Sequence, residues 1–99
     1  MKESVLQQGR TNEKLRKRME RFDTVVYEYL RTSHKTVEEL AKEAGCGASS
    51  LWRFRRKPED FRKAPFDVIC TCLRLANVSN DTLRFIIGIP ATRGFTYEN

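Results

Sequence analysis

Residues 36–56, TVEELAKEAGCGASSLWRFRR, constrain the fold most, because they read as a helix, a glycine turn and a second helix crowded with arginine. Thr36 can cap free backbone amides while Glu39, three residues on, reaches back to it, the reciprocal capping box that starts a helix. Val37, Leu40, Ala41 and Ala44 then repeat at helical spacing on one apolar face, and Glu38, Lys42 and Glu43 point to water. Gly45 stops the helix, since the left-handed conformation common just past a helix end costs glycine almost nothing. Cys46 turns inward as a small apolar plug.

The second helix is expected to start at Gly47 or Ser49 and run to about Arg56, with Leu51 and Phe54 packing back onto the first. Ala41 leaves room for that contact; a larger side chain there would cost roughly 1 to 3 kcal/mol by overpacking. Ser49, Trp52, Arg53 and Arg56 fall at i, i+3, i+4 and i+7 on the opposite face.

Around this unit the periodicity predicts three more helices. Residues 11–32 form a long helix capped by Thr11 or Asn12, with Leu15, Met19, Phe22, Val26, Tyr29 and Leu30 as its apolar stripe. Its other face clusters Lys14, Arg16, Lys17, Arg18 and Arg21, readable either as a basic arm or as a solvated helix face. Lys57–Lys63 is expected to be a loop, because Pro58 cannot donate the hydrogen bond of a continuing helix. Pro65 opens a fourth helix that buries Phe66, Ile69, Cys70, Leu73 and Ala76 and ends near Asn77. Ser79, Asn80 or Asp81 caps a fifth, closed by Gly88 and Pro90. The second half of that helix, residues 83–87, is apolar apart from Arg84. Leu83, Phe85, Ile86, Ile87 and Ile89 therefore make a candidate homodimer surface, the alternative being burial against the long first helix.

With 99 residues the expectation is one domain over residues 11–90, a flexible arm over 1–10 and a loose tail over 91–99 that Phe95 and Tyr97 anchor or bring to a dimer seam. The charge is +6, from 19 Lys and Arg against 13 Asp and Glu, and such a chain attracts polyanions. Residues 50–63 carry six positive and two negative groups, whereas residues 64–99 carry three of each, so the C-terminal third is not a nucleic-acid surface by charge. No segment has the length or apolarity of a membrane span, and nothing near Met1 resembles a signal peptide, giving a cytoplasmic expectation. Three cysteines without a framework fit a reducing compartment. Cys70 and Cys72 point in different directions on a helix, His34 reads as a turn residue, and no metal or other cofactor is expected. No nucleophile and base stand in a recognisable arrangement, so the chain is not read as an enzyme.

The pattern of Ala41, Gly45, Cys46, Leu51 and Phe54 resembles the helix-turn-helix of the phage repressor and Cro family, the XRE type, over roughly residues 20–88. The resemblance implies an all-α, compact five-helix lambda-repressor-like helix-turn-helix domain, here with an extended N-terminal helix. It implies a sequence-specific DNA-binding transcription regulator, a repressor of phage or mobile-element type, that occupies double-stranded DNA as a dimer. On that pattern Ala48, Ser49, Trp52 and Arg53 would meet base edges, Trp52 against a thymine methyl or a sugar unless it half-packs on the loop. Lys35, Thr36, Arg55, Arg56, Lys57, Arg62 and Lys63 would meet phosphates, with Lys14, Lys17, Arg18 and Arg21 as an additional set. Two residues depart from the family: Glu38 stands where it carries a backbone-contacting glutamine, and Gly47 where it carries a serine or threonine cap. A reading from another class is a protein-interaction module, an antitoxin, inhibitor or adaptor, using the apolar C-terminal helix.

Overall fold

The computed structural model describes residues 2–88, with side chains from residue 13 onward. The first element, α1, runs from Lys2 to Ser33. The expected start at Thr11 or Asn12 is therefore corrected: the helix passes through both, and residues read as an N-terminal arm are helical from Lys2. Residues 2–8 contain no proline or glycine, and Lys, Glu, Leu and Gln among them are good helix formers. At about 1.5 Å per residue α1 extends about 48 Å, well beyond any partner helix. Leu15, Met19, Phe22 and Val26 are buried along it, and Tyr29 and Leu30 pack half-buried at the end of the same stripe. His34 ends it in a left-handed turn (φ 62°), its amide donating to the Leu30 carbonyl at 3.0 Å.

Thr36 then caps α2 (Val37–Ala44). Its hydroxyl accepts from the Glu39 amide at 3.1 Å, and its own amide donates to Glu39 Oε1 at 2.9 Å, completing the capping box. Gly45 closes α2 at φ 88°; its amide donates to the Lys42 carbonyl at 3.2 Å and the Cys46 amide to the Ala41 carbonyl at 2.9 Å. This pair of bonds satisfies two carbonyls that the helix end leaves free and folds Cys46 back against the core. Gly47 is the N-cap of α3 (Ala48–Arg56), so of the two expected starts the helix takes the earlier one and not Ser49.

The segment after α3 departs most from expectation. In place of a loop, Pro58–Lys63 forms a short helix, α4. Pro58 occupies the first turn, where its missing amide is no loss, and Glu59 and Asp60 favour the positive end of the helix dipole. Proline here starts a helix after the break at Lys57. Phe61 carries α4 into the core, its ring 5.7 Å from that of Phe22. The described residues thus form six helices rather than five and contain no strand.

Next comes α5 (Phe66–Leu75), with Pro65 as its N-cap rather than its first residue. It buries Val68, Ile69, Cys70, Cys72 and Leu73. Phe66 is not buried as expected but 64% exposed, because the buried stripe centres on Ile69 and Cys72 and the first turn overhangs it. Ala76 is only partly covered. Asn77 takes a left-handed conformation (φ 58°), and bonds from the Asn77 amide to Arg74 and from the Val78 amide to Leu73 repeat the closure seen at Gly45.

Ser79 caps α6 (Asn80–Ile87) by accepting from the Thr82 amide, and Gly88 ends it at φ 81°. The dimer surface drawn on this helix needs correction. Ile86 is fully buried, Leu83 and Ile87 pack half-buried on the core, and Phe85 is 50% exposed. Burial against α1 and α5 therefore takes most of the apolar face, and Ile89, Phe95 and Tyr97 lie outside the described residues.

Candidate nucleic-acid interface

The face that α3 turns outward follows from what holds its inner face. Leu51 is fully buried, and Ala48 and Phe54 pack half-buried beside it. Arg55, four residues after Leu51, falls on the same side, and its Nε donates to Asp23 Oδ1 on α1 at 2.7 Å. With side chains 10% and 27% exposed, this pair is largely withdrawn from water, where an ion pair is screened less than at the surface. Arg55 is accordingly a structural strut and not the phosphate contact expected of it. Ala48 is likewise turned toward the core rather than fully presented as a base contact.

Ser49, Trp52, Arg53 and Arg56 are all exposed, as their spacing requires once Leu51 and Arg55 are fixed inside. No acidic residue occurs in α3. Arg53 lies near Ser50, its Nη2 3.3 Å from the hydroxyl. Trp52 is 50% exposed, and the Lys57 ammonium sits over its ring, 6.0 Å from the centroid. A cation at that separation is attracted to the ring face. The start of α3 carries no side-chain cap, so its first amides remain open to an acceptor.

At the front of α2 the expected phosphate contacts are already engaged. Thr36 is committed to the capping box, and Lys35 Nζ lies 2.9 to 3.0 Å from both carboxylate oxygens of Glu43. The hydrogen bond to Glu43 raises the Lys35 pKa, holding the ammonium charged, and the Glu43 carboxylate offsets that charge. Glu38 is exposed in the first turn, adding negative charge there. Positive charge lies instead at the end of α3 and along α4, where Arg56, Lys57, Arg62 and Lys63 are exposed. Arg62 pairs with Glu59 at 2.6 Å across one turn, a contact between two exposed groups.

The basic flank of α1 divides. Arg18 is turned toward α6: its Nε donates to the Ile86 carbonyl at 3.0 Å, its guanidinium lies 5.7 Å from the Phe61 ring centroid, and burial lowers its pKa. This removes Arg18 from the additional phosphate set, since it caps the end of another helix. Arg21 remains exposed but lines a groove with Asp81, Thr82 and Phe85 of α6. Lys14 and Lys17 are exposed, with Lys17 3.8 Å from Glu13. Asp23 of α1 pairs with Arg55 on the inner side of α3, whereas Arg18 and Arg21 lie against α6.

Charge alone made Arg55 and Arg18 look available. For Arg55 the corrective signal lay in the sequence, in its four-residue spacing from Leu51. For Arg18 the spacing of three from Leu15 and four from Phe22 places it at the edge of the buried stripe, but its partner, 68 residues away, has no local signal. The approach of Lys57 to Trp52 was also missed; it depends on the chain breaking from helix at Lys57, where φ is −118°.

Burial raises the thiol pKa of Cys46 and Cys70 and pushes that of Cys72 up to about 12, which keeps these groups protonated and poorly nucleophilic. Among the described residues no group of three or more His, Cys, Asp or Glu comes together to hold a metal ion, and no helix is long and apolar enough to cross a membrane. Protein-family models, curated proteins and solved structures offer no match to the chain.

Proposed function

We propose that this chain is a sequence-specific duplex-DNA-binding protein, a small transcriptional repressor with a lambda-repressor-like helix-turn-helix, whose α3 enters the major groove. One observation carries the reading: α3 is pinned by Leu51 and the Arg55–Asp23 pair so that Ser49, Trp52, Arg53 and Arg56 form an exposed, acid-free face. A helix fits the major groove, and an arginine there reads guanine through two hydrogen bonds. Arg53, at the middle of the face, takes that role, with Ser49 and Trp52 on neighbouring base edges. Arg56 and Lys63 follow the phosphates, with Lys57 beside them over the Trp52 ring and Arg62 contributing less because it pairs with Glu59. Lys35 and Thr36 contribute less, being tied to Glu43 and Glu39.

Selection of bound sites from a random duplex pool tests this reading. A recovered consensus supports it, and inverted half-sites about one helical turn, roughly 34 Å, apart would show two copies acting together. Failure to bind any duplex at low salt would overturn it in favour of a protein-interaction module. That alternative has weaker support, because Leu83, Ile86 and Ile87 of its contact helix are packed against the core.

A further inference from the structure

The outward face of α3 contains one apolar surface among polar groups. Trp52 is half exposed, while Ser49, Arg53 and Arg56 beside it are hydrogen-bonding or charged. The Lys57 ammonium covers a ring face of Trp52, which leaves the rest of the indole as the surface available to a ligand. Base edges in the major groove are acceptors and donors, with one apolar group among them, the C5-methyl of thymine. Pressing the carbon surface of an indole, rather than its Nε1–H edge, on a carbonyl, ring nitrogen or amino group would strip water from that group without replacing its hydrogen bond. Pressing it on a methyl carries no such penalty.

We infer that Trp52 is a specificity-determining residue that selects a 5-methylpyrimidine, with Lys57 holding the indole toward the groove. The inference rests on the DNA-binding reading and deepens it by naming the chemical group read at one position. Because 5-methylcytosine carries the same methyl at the same place on its ring, methylated cytosine opposite guanine should satisfy Trp52 where unmodified cytosine does not. The chain would then respond to cytosine methylation at that step of its site.

The test uses the full chain and the duplex recovered by selection. Each thymine is replaced singly by deoxyuridine, which removes the methyl and leaves base pairing unchanged. One position in each half-site is expected to weaken binding about fourfold, the effect of exposing one methyl group, about 0.8 kcal/mol. Placing cytosine or 5-methylcytosine opposite guanine at that position should give tighter binding with the methylated base. Trp52→Ala should bind thymine and deoxyuridine duplexes equally, whereas Trp52→Phe should keep part of the preference. The inference is overturned if the parent binds every deoxyuridine duplex as tightly as the thymine duplex, or if Trp52→Ala keeps the full methyl preference. Recovery of a duplex with no methyl effect removes this inference alone; recovery of none removes the DNA-binding reading as well.

Discussion

Arg55 Nε and Asp23 Oδ1 stand 2.7 Å apart, joining residues separated by 32 positions and fixing α3 against α1. The pair sets which side of α3 faces outward, because Arg55 shares the inner side with Leu51. Removing only the carboxylate, as in Asp23→Ala, leaves a mostly buried guanidinium without its partner. The expected loss is about 2 kcal/mol, below the full cost of breaking a wholly buried pair because Asp23 retains some access to water. Urea unfolding measures it. Replacing both partners, Asp23→Leu with Arg55→Met, should recover much of the loss; equal destabilisation by the single and double variants would contradict the strut.

The turn between α2 and α3 contains two glycines with different requirements. Gly45 has φ 88°, and a Cβ there would meet nothing within 4 Å, so Gly45→Ala should lose stability through backbone conformation alone, about 1 to 2 kcal/mol. Gly47 has φ −83° and the same open surroundings, but it occupies an N-cap with no side-chain acceptor. Gly47→Ser should therefore gain a few tenths of a kcal/mol. Thermal melts of the two variants should shift in opposite directions.

Burial of Cys72 links stability to alkaline pH. Burial pushes its thiol up from the ordinary value of about 9 to about 12, so above about pH 9 the unfolded chain releases a proton that the folded chain retains. The contribution is fully present below pH 9 and is lost as pH rises toward 12. Cys72→Ala should start from lower stability at pH 7 but lose less of it between pH 9 and 11. Parallel loss in parent and variant, followed by urea midpoints, would show that another group sets the slope.

On α6, adjacent apolar residues should behave differently. Ile86→Ala empties a fully buried position and is expected to cost about 2 to 5 kcal/mol, whereas Phe85→Ser alters a half-exposed ring and should shift stability by about 0.5 kcal/mol or less. Chemical denaturation of both variants distinguishes this placement from the dimer surface expected of the whole helix. Comparable small effects would mean that Ile86 is not in the core.

The segment from Thr36 to Arg56 was readable because its determinants are local. A capping box spans four residues, a left-handed glycine acts at one position, and Leu51 and Phe54 are neighbours on one helix. The errors arose where a residue type permits two structural uses. Pro58 can end one helix or begin another, and the acidic pair after it together with Phe61 selects the second. Phe66 has helical spacing from Ile69 and Leu73, yet its place in the first turn leaves it beyond the layer that covers them. Charge makes Arg18 and Arg55 look available; helical spacing from Phe22 and Leu51 turns them inward, but their partners, the Ile86 carbonyl and the Asp23 carboxylate, meet them only through the tertiary fold.

Arg53 provides the most direct measurement of the central claim, that the outer face of α3 reads DNA sequence. Affinity is measured at one salt concentration for the selected duplex and for a scrambled duplex of the same composition, with the parent and with Arg53→Ala. The account predicts that the parent prefers the selected duplex and that the variant gives up about 1 to 3 kcal/mol of that preference while keeping its melting temperature, since Arg53 is exposed and its hydrogen bond is to the exposed-side Ser50 hydroxyl. Equal affinity of the parent for both duplexes, or an undiminished preference in Arg53→Ala, would contradict it.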